Sequence, residues 1–203
     1  MIIETGFEQG SIEWHGARID SIGGTGLSKI ITNAKAERSG SRPDYIEEKA
    51  GDIISRDTKP NFQTWEMKWG HKYEPKAREL FSIVNRIEVD TCAMIFFDET
   101  RSWHISPDFF NEKERFGGEI KCPQIKEYRR TIKANKLPTK HILQCQAGLA
   151  LTGWDRWKFM TYFPGLKPFV VNVERDEPLI KTIKAEVKIF LRDLNSLIEE
   201  LKS

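Results

Sequence analysis

The sequence S-P-D at residues 106–108, followed after ten residues by E-I-K at residues 119–121, is the stretch that decides the fold. Glu119 and Lys121 are two residues apart on a predicted strand, so their side chains leave the same face of a sheet. Asp108 comes directly after another β-prone segment. If the two segments pair as a hairpin, two carboxylates and one ammonium group converge at a single place.

This combination of groups matches the chemistry of phosphodiester hydrolysis. The reaction requires a hydroxide near neutral pH and positive charge beside the phosphate oxygens. Mg²⁺ takes hard oxygen ligands, commonly one or two carboxylates plus waters, and it acidifies a bound water. Asp108, Glu119 and the main-chain carbonyl of Ile120 are therefore the candidate metal ligands. Lys121 is the candidate group that orients or deprotonates the attacking water.

The same residues also have an ordinary structural interpretation. An E-x-K pattern is common on the exposed edge of a sheet, where the two side chains form a salt bridge. An aspartate that follows a proline is a common turn residue. The spacing alone leaves the catalytic and the structural interpretation open.

The composition is that of a soluble protein with one domain, spanning residues 1–203. No run approaches the roughly 18 apolar residues that span a bilayer. The N-terminal residues do not resemble a signal peptide. We therefore expect no membrane association and a cytoplasmic location. Three scattered cysteines argue against zinc, an iron–sulfur cluster or disulfides, and a net charge of +2 does not decide whether the protein binds nucleic acid.

Hydrophobic periodicity predicts helices, then short strands, more helices, two further strands and a closing helix. The predicted helices start near residue 11 and cover 42–55, 62–84, 124–134, 139–151 and 180–201, and the strands cover 89–97, 103–106, 118–122, 156–163 and 168–174. Pro75 predicts a kink or a restart of its helix. The wide apolar stripe of the closing helix favours packing on the domain core over a coiled coil. This order indicates an α/β or α+β domain with a small, mostly central sheet.

Several blocks of the sequence occur together and in the order found in one known family. They are E-Q-G-x3-W-H-x2-R at 8–18, W-G-x2-Y-E-x2-A-R-x-L-F at 69–81, S-P-D at 106–108, G-x-E-x-K-C-P at 117–123, Q-x-Q at 144–146 and V-x-V-E-R-D-E at 171–177. On these blocks the sequence resembles the PD-(D/E)xK nuclease superfamily and, within it, the phage lambda exonuclease family of viral recombination nucleases.

The resemblance implies a restriction-endonuclease-like core, in which a small central mixed sheet is flanked by helices. It implies a Mg²⁺-dependent 5′→3′ exonuclease that acts on linear double-stranded DNA with 5′-phosphorylated ends. Such an enzyme degrades the 5′-ended strand to mononucleotides and leaves 3′ overhangs. We expect two Mg²⁺ ions, with Mn²⁺ as a substitute. The resemblance further implies a homotrimeric ring, a single-strand annealing protein as partner, and action in the host-cell cytoplasm.

The resemblance also assigns further site residues. Glu74 corresponds to an acidic residue that faces the metal centre, and Gln144 corresponds to the glutamine on the helix after the catalytic strand. Three other positions hold the DNA 5′-phosphate together with that glutamine: Arg18, Thr25 and Ser106. A guanidinium and two hydroxyl groups suit a phosphate, since all of them donate hydrogen bonds. Met67 is the expected strand-separating wedge.

Basic residues after the predicted catalytic strand offer a surface for DNA phosphates. One face of the helix predicted at 124–134 carries Lys126, Arg129, Arg130 and Lys133. A second basic group consists of Lys29, Lys35, Arg38 and Arg42. Trp14, Trp65 and Trp69 can stack on bases or pack in the core, and packing is the more common role of a tryptophan.

Two other functions remain compatible with the sequence. One is an endonuclease of the same superfamily, of the restriction or repair type. The other is a catalytically silent DNA-binding module that retains the fold. The intact set of Asp108, Glu119 and Lys121 argues against a silent module. A pocket for a 5′-phosphate favours an exonuclease over an endonuclease.

Overall fold

The computed structural model describes residues 1–32, 36–57 and 64–203, and over these residues the chain forms eight strands and seven helices. The strands are β1 (Ile2–Glu4), β2 (Ile22–Gly23), β3 (Met94–Phe96), β4 (Trp103–Ile105), β5 (Phe109–Asn111), β6 (Phe116–Lys121), β7 (Arg156–Thr161) and β8 (Phe169–Glu174). The helices are α1 (Ile12–Ile19), α2 (Leu27–Ile30), α3 (Arg42–Ser55), α4 (Trp65–Asn85), α5 (Ile125–Ala134), α6 (Ile142–Thr152) and α7 (Glu177–Lys202). Short 3₁₀ turns at Gly24–Gly26 and Thr139–His141 precede α2 and α6. This mixture of helices and strands confirms the predicted fold class.

The strands are divided between two mixed sheets rather than gathered in one central sheet. The first sheet has the order β1-β3-β4-β2 and the second has the order β5-β6-β7-β8. In the second sheet β6 and β7 are parallel, while the pairs β5/β6 and β7/β8 are antiparallel. The S-P-D segment at residues 106–108 connects β4 to β5, so it crosses from one sheet to the other.

Strands β1, β2 and β5 were missing from the sequence prediction. Each has only two or three residues, which is too short for the alternating pattern of a strand to be visible. The expected hairpin was therefore assigned to the wrong partner. The strand that carries E-I-K pairs with β5 and β7, and β4 belongs to the other sheet.

Helix α4 runs without interruption through Pro75 to Asn85, so the alternative of a helix that restarts at the proline is wrong. Its N-terminus is capped by Thr64, whose side chain accepts a hydrogen bond from the N–H of Met67 at 3.2 Å. The predicted start at residue 62 lies outside the described residues. Along α4, Ala77 and Phe81 pack against the second sheet.

Trp157 on β7 fixes the distance between the second sheet and α6. A Cβ atom added to Gly117 on β6, or to Gly148 on α6, would lie within 3 Å of the Trp157 ring. Glycine at both positions lets the indole fit between the sheet and the helix. The contact sets how far α6, which carries Gln144, lies from β6, which carries Glu119.

Helix α7 covers the core with the apolar stripe that the sequence predicted. Ile180, Ile183, Val187 and Phe190 are buried in the main hydrophobic cluster together with residues of α2, α3 and α6. Packing on the domain core is therefore confirmed for this stripe. No helix in the described part of the chain, α7 included, is long and apolar enough to cross a membrane.

Phe190→Ala should destabilise the fold by about 3–5 kcal/mol, because a fully buried aromatic ring is replaced by a cavity. The measurement is urea unfolding followed by circular dichroism. Leu201→Ala, at a position that is 61% exposed on the same helix, is the control and should change the free energy of unfolding by less than ~0.5 kcal/mol. Equal effects of the two substitutions would contradict the packing described here.

Candidate active site

The three groups that the sequence predicted to converge lie together at β6. Asp108 is bound to this strand twice. Its N–H donates to the carbonyl of Gly118 at 3.0 Å, and its Oδ2 accepts from the N–H of Ile120 at 2.5 Å. The side chain of Glu119 is only 3% exposed, and its Oε1 contacts Nζ of Lys121. The β5–β6 hairpin thus presents two carboxylates and one ammonium group side by side.

A third carboxylate, that of Glu74 on α4, reaches the same cluster. Arg78, one turn further along the helix, donates from Nη2 to Glu74 Oε1 and from Nε to the carbonyl of Asp108, each at 2.7 Å. The charges of Lys121 and Glu119 both act on Glu74. The proline that follows Glu74 therefore does not carry it away from the centre. Arg78 is not among the site residues predicted from the sequence, although it lies in the block at 69–81 and four residues after Glu74, a spacing that brings two side chains together on a helix.

The carboxylates of the cluster repel one another. Burial raises the pKa of Asp108 well above its ordinary value, and the charges of Glu119 and Glu74 add to the rise. Burial also raises the pKa of Glu74, against the opposing charge of Arg78. Burial alone would lower the pKa of Lys121, but the charges of Glu119 and Asp108 outweigh it and the net shift is upward. The cluster therefore holds more negative charge than its lysine and arginine neutralise.

This set of donors fits Mg²⁺. The carboxylates of Asp108 and Glu119 and the carbonyl of Ile120 offer hard oxygens, which Mg²⁺ prefers. Within the described ranges, no three or more His, Cys, Asp or Glu side chains are grouped so that they could hold a metal ion together. Mg²⁺ does not require such a group, because it usually keeps several waters and takes one or two carboxylates. A divalent cation at this place would offset the repulsion between the carboxylates.

A cavity of about 50 Å³ opens directly beside this cluster. Its lining contains all four residues assigned to the 5′-phosphate, together with Glu119 of the cluster: Arg18, Thr25, Ser106 and Gln144. The volume corresponds to about three to five water molecules at roughly 10–15 Å³ each. The cavity therefore has room for a phosphate-sized anion.

The cavity is assembled from four separate elements. Arg18 lies at the end of α1, Thr25 in the first 3₁₀ turn, Ser106 in the connection between the two sheets, and Gln144 in the first turn of α6. Burial lowers the pKa of Arg18. Among the described residues no carboxylate forms a salt bridge with its guanidinium, which lines the cavity as a cation.

The two glutamines of the Q-x-Q block have different places. Gln144 lines the cavity. Gln146 is buried, donates to the carbonyl of Glu174 at 2.8 Å and accepts from the N–H of Asp176 at 3.0 Å. Its amide therefore ties α6 to the exit of β8, which is a structural role.

The basic side chains of α5 are exposed as predicted, whereas the described members of the second basic group form salt bridges within the protein. The basic side chains of α5 are all exposed: Lys126, Arg129, Arg130 and Lys133. In the second group Lys29 is paired with Glu48. Arg38 and Arg42 are both paired with Glu186. Lys35 lies outside the described residues. The second group is therefore mostly neutralised, and its prediction as a DNA-binding surface loses support.

The three tryptophans considered for base stacking also differ. Trp65 is 58% exposed and stacks on Trp69 with a centroid distance of 5.2 Å. The ring of Trp69 packs against the ring of Tyr73, with 4.5 Å between the centroids. Trp14 is half-buried, and the guanidinium carbon of Arg18 lies over its ring, 4.2 Å from the centroid. Trp65 is therefore the one of the three that offers an open ring face, and the neighbouring Met67 is exposed as well.

A cluster of carboxylates with one lysine, next to a cavity lined by an arginine, is the kind of site that a nuclease uses. The chain belongs to the family described as the YqaJ-like viral recombinase domain, which matches residues 13–155. Family membership and structural similarity together support a nuclease role.

Solved structures show the same relationship. The chain is 29% identical to an alkaline exonuclease (LHK-Exo) from Laribacter hongkongensis, over 95% of this chain and 96% of that chain, with a TM-score of 0.83. LHK-Exo in complex with dAMP matches at 28% identity with the same coverage and TM-score. A phage related exonuclease from Haemophilus somnus 129PT shares the fold at 15% identity, covering 89% of this chain and 96% of that one, with a TM-score of 0.70. No curated protein matches the chain at a significant level.

Arg78→Ala should lower the rate of cleavage about ten- to a hundred-fold, since hydrogen bonds to charged groups are worth roughly 1.5–3 kcal/mol. The substitution removes the support of both Glu74 and the Asp108 carbonyl. Initial rates on linear duplex DNA with Mg²⁺ measure the effect. Lys76→Ala, which breaks only the exposed pair with Glu79 on the same helix, is the control and should leave the rate unchanged. A full rate for Arg78→Ala would show that this arginine does not support the centre.

Asp108→Asn should raise the free energy of unfolding in EDTA while it abolishes cleavage. The amide still accepts from the N–H of Ile120 but no longer repels Glu119 and Glu74. Added Mg²⁺ should raise the melting temperature of the wild type and leave that of the variant unchanged. Differential scanning calorimetry with and without Mg²⁺ tests both statements. A variant that is less stable than the wild type in EDTA would contradict the repulsion.

Proposed function

We propose that this protein is a Mg²⁺-dependent exonuclease that degrades the 5′-ended strand of linear double-stranded DNA in the 5′→3′ direction. It releases mononucleotides and leaves 3′ overhangs. The observation that carries the proposal is the cavity that places Arg18, Ser106 and Gln144 beside Glu119. A strand end whose terminal phosphate lies in this cavity has its first phosphodiester bonds close to the carboxylates. Such a site removes nucleotides from an end rather than cutting within a strand.

The residues of the centre have separate roles in this proposal. Asp108, Glu119 and the carbonyl of Ile120 would hold the Mg²⁺ ions, two in number and replaceable by Mn²⁺, which supply a Lewis acid and an acidified water when bound. Lys121 remains protonated beside its carboxylates, so it donates to the attacking water and to the phosphate oxygens as their charge grows. Glu74, oriented by Arg78, accepts hydrogen bonds from waters at the same centre.

The cavity side chains are suited to a dianionic terminal phosphate. Arg18 provides a permanent charge that no carboxylate neutralises among the described residues. The hydroxyl groups of Thr25 and Ser106 and the amide of Gln144 add hydrogen-bond donors. A 5′-hydroxyl end would leave the guanidinium half-buried and without an anion, which is costly. The enzyme should therefore prefer 5′-phosphorylated ends.

The relative LHK-Exo supports the nature of the product. That protein has been crystallised in complex with dAMP, a nucleoside monophosphate. Because the two chains align over nearly their full lengths, we infer the same class of product here.

The rest of the DNA is proposed to run over α5 and the start of α4. Four exposed basic residues of α5 would contact phosphates, which gives affinity without sequence preference: Lys126, Arg129, Arg130 and Lys133. Met67 would separate the strands, and the exposed ring of Trp65 would stack on an unpaired base. We extend the proposal to a homotrimeric ring, a single-strand annealing protein as partner and the host-cell cytoplasm, on the basis of the viral recombinase family.

A time course on linear duplex DNA tests the proposal. Duplexes labelled at the 5′ or the 3′ end, with a 5′-phosphate or a 5′-hydroxyl, are incubated with Mg²⁺ or with EDTA. We expect release of labelled mononucleotide from the 5′ end first, faster digestion of phosphorylated ends, and no digestion in EDTA. Lys121→Ala should lower the rate by at least ~10²–10³-fold. Lys113→Ala, an exposed lysine in the β5–β6 turn, is the matched control and should cut at the normal rate.

Three outcomes would overturn the proposal. Cleavage of covalently closed circular DNA would indicate an endonuclease of the same superfamily. Release of the 3′ label first would reverse the polarity. Absence of any cleavage in Mg²⁺ or Mn²⁺, with DNA binding retained, would indicate a catalytically silent module.

A further inference from the structure

The orientation of Arg18 depends on a buried histidine that has no part in the chemistry described above. His104 on β4 is only 1% exposed. Its Nε2 lies 3.4 Å from Nη1 of Arg18, and its Nδ1 lies 2.6 Å from Oγ of Ser21, which is also buried. The imidazole thus stands between a serine and the guanidinium that faces the cavity.

The direction of the hydrogen bonds in this chain is fixed by chemistry. Arginine has only donors, so Nε2 of His104 must be the acceptor. Burial and the charges of Arg18 and Lys49 lower the pKa of His104 to about 3, so the ring is neutral and carries one proton. That proton is then on Nδ1 and is donated to Oγ of Ser21. Arg18 therefore selects this tautomer, and Ser21, whose hydroxyl group can accept as well as donate, provides the acceptor for the Nδ1 proton.

Other contacts restrict the conformations that the Arg18 side chain can adopt. The guanidinium lies over the ring of Trp14 at 4.2 Å. The ammonium of Lys49 donates to the main-chain carbonyls of Arg18 and Ile19 at 2.8 and 2.6 Å, which anchors the end of α1. A Cβ added to Gly23 would lie 3.1 Å from Nε2 of His104 and 3.5 Å from Nη1 of Arg18, so a larger residue would crowd the contact.

A neutral acceptor has a specific advantage at this position. A carboxylate in place of the imidazole would form a salt bridge with Arg18 and compete with the phosphate for its charge. The imidazole holds the guanidinium in place and leaves its full positive charge available to an anion in the cavity. Trp14 acts in the same way, since an aromatic face attracts the cation without neutralising it.

We propose that His104 and Ser21 are positioning residues that hold Arg18 for the terminal phosphate and thereby determine the preference for 5′-phosphorylated ends. This inference rests on the proposed function, because it assumes that the cavity binds a 5′-phosphate. Both residues act through Arg18, and neither touches the reacting atoms.

The two amide variants of His104 separate positioning from packing. In His104→Gln the amide reaches the place of Nε2 and can still accept from Arg18, whereas in His104→Asn it reaches only the place of Nδ1, near Ser21. The quantity to measure is the ratio of kcat/KM for 5′-phosphorylated and 5′-hydroxyl ends of the same linear duplex, with Mg²⁺. Arg18→Ala defines the ratio when the guanidinium is lost.

We expect His104→Asn to lower this ratio about ten-fold or more, toward the value of Arg18→Ala, because one hydrogen bond to a charged group is lost. His104→Gln should keep the ratio within about three-fold of the wild type. Cleavage of 5′-hydroxyl ends should be the same in the wild type and in both His104 variants, since those ends have no phosphate to hold. A merely structural role for His104 would instead lower the rates for both kinds of end together.

Ser21→Ala provides a second test that does not change the histidine. Loss of the hydroxyl group leaves the buried Nδ1 proton without its acceptor and favours other orientations of the ring, so the ratio should fall, while Ser21→Thr should retain it. If His104→Asn does not fold, the serine variants decide the question. A ratio that stays at the wild-type value in both His104→Asn and Ser21→Ala, while Arg18→Ala lowers it, overturns this inference alone. Equal rates for both ends in the wild type would instead refute the phosphate pocket of the proposed function.

Discussion

Two hydrogen bonds between Asp108 and the main chain of β6 are the constraint on which the rest of the site depends. They join the N–H of Asp108 to Gly118 and the N–H of Ile120 to the Asp108 carboxylate. Because residues 106–108 form the connection between the two sheets, the same contacts fix how the sheets meet. Ser106 in the cavity and Asp108 in the cluster are only two residues apart on this connection. One short piece of backbone therefore links the cavity to the carboxylate cluster.

The negatively charged groups of the site and the positive charge of Arg18 lie in two separate, adjacent places. Three carboxylates gather around β6, where burial and the neighbouring negative charges raise the pKa values of Asp108 and Glu74, whereas Arg18 lies in the adjacent cavity beside neutral partners. Each half is unfavourable by itself, since like charges repel and the half-buried guanidinium has no counter-ion among the described residues. Under the proposed function, a divalent cation on one side and a phosphate on the other would relieve both costs. The packing of α6 and α7 on the core supplies stability that offsets these costs.

Much of the centre could be predicted from the sequence because its groups are close along the chain. Glu119 and Lys121 lie on the same face because alternate residues of a strand point the same way. A short hairpin brings Asp108 beside them. Glu74 and the four cavity residues come from α1, α4, α6 and two loops, so spacing could not bring them together and only the family resemblance named them. Arg78 had only its place in the block at 69–81 and its spacing from Glu74, and His104 had no local signal. Their roles lie in contacts across 30 and 86 residues of sequence, which no local pattern records.

The sequence by itself determined the α+β class, the apolar stripe of α7, and the identity of the carboxylates and the lysine at β6. These features follow from periodicities and spacings that local geometry imposes. Tertiary structure alone decided that the strands form two sheets, that β5 and not β4 pairs with β6, and that Arg18 is held by His104 and faces the cavity. It also decided that Arg38 and Arg42 are bound to Glu186 and that Trp65 remains open. The physical reason is that short strands and polar contacts between distant segments are stabilised by tertiary packing. They depend on residues far away in the sequence, which local patterns do not contain.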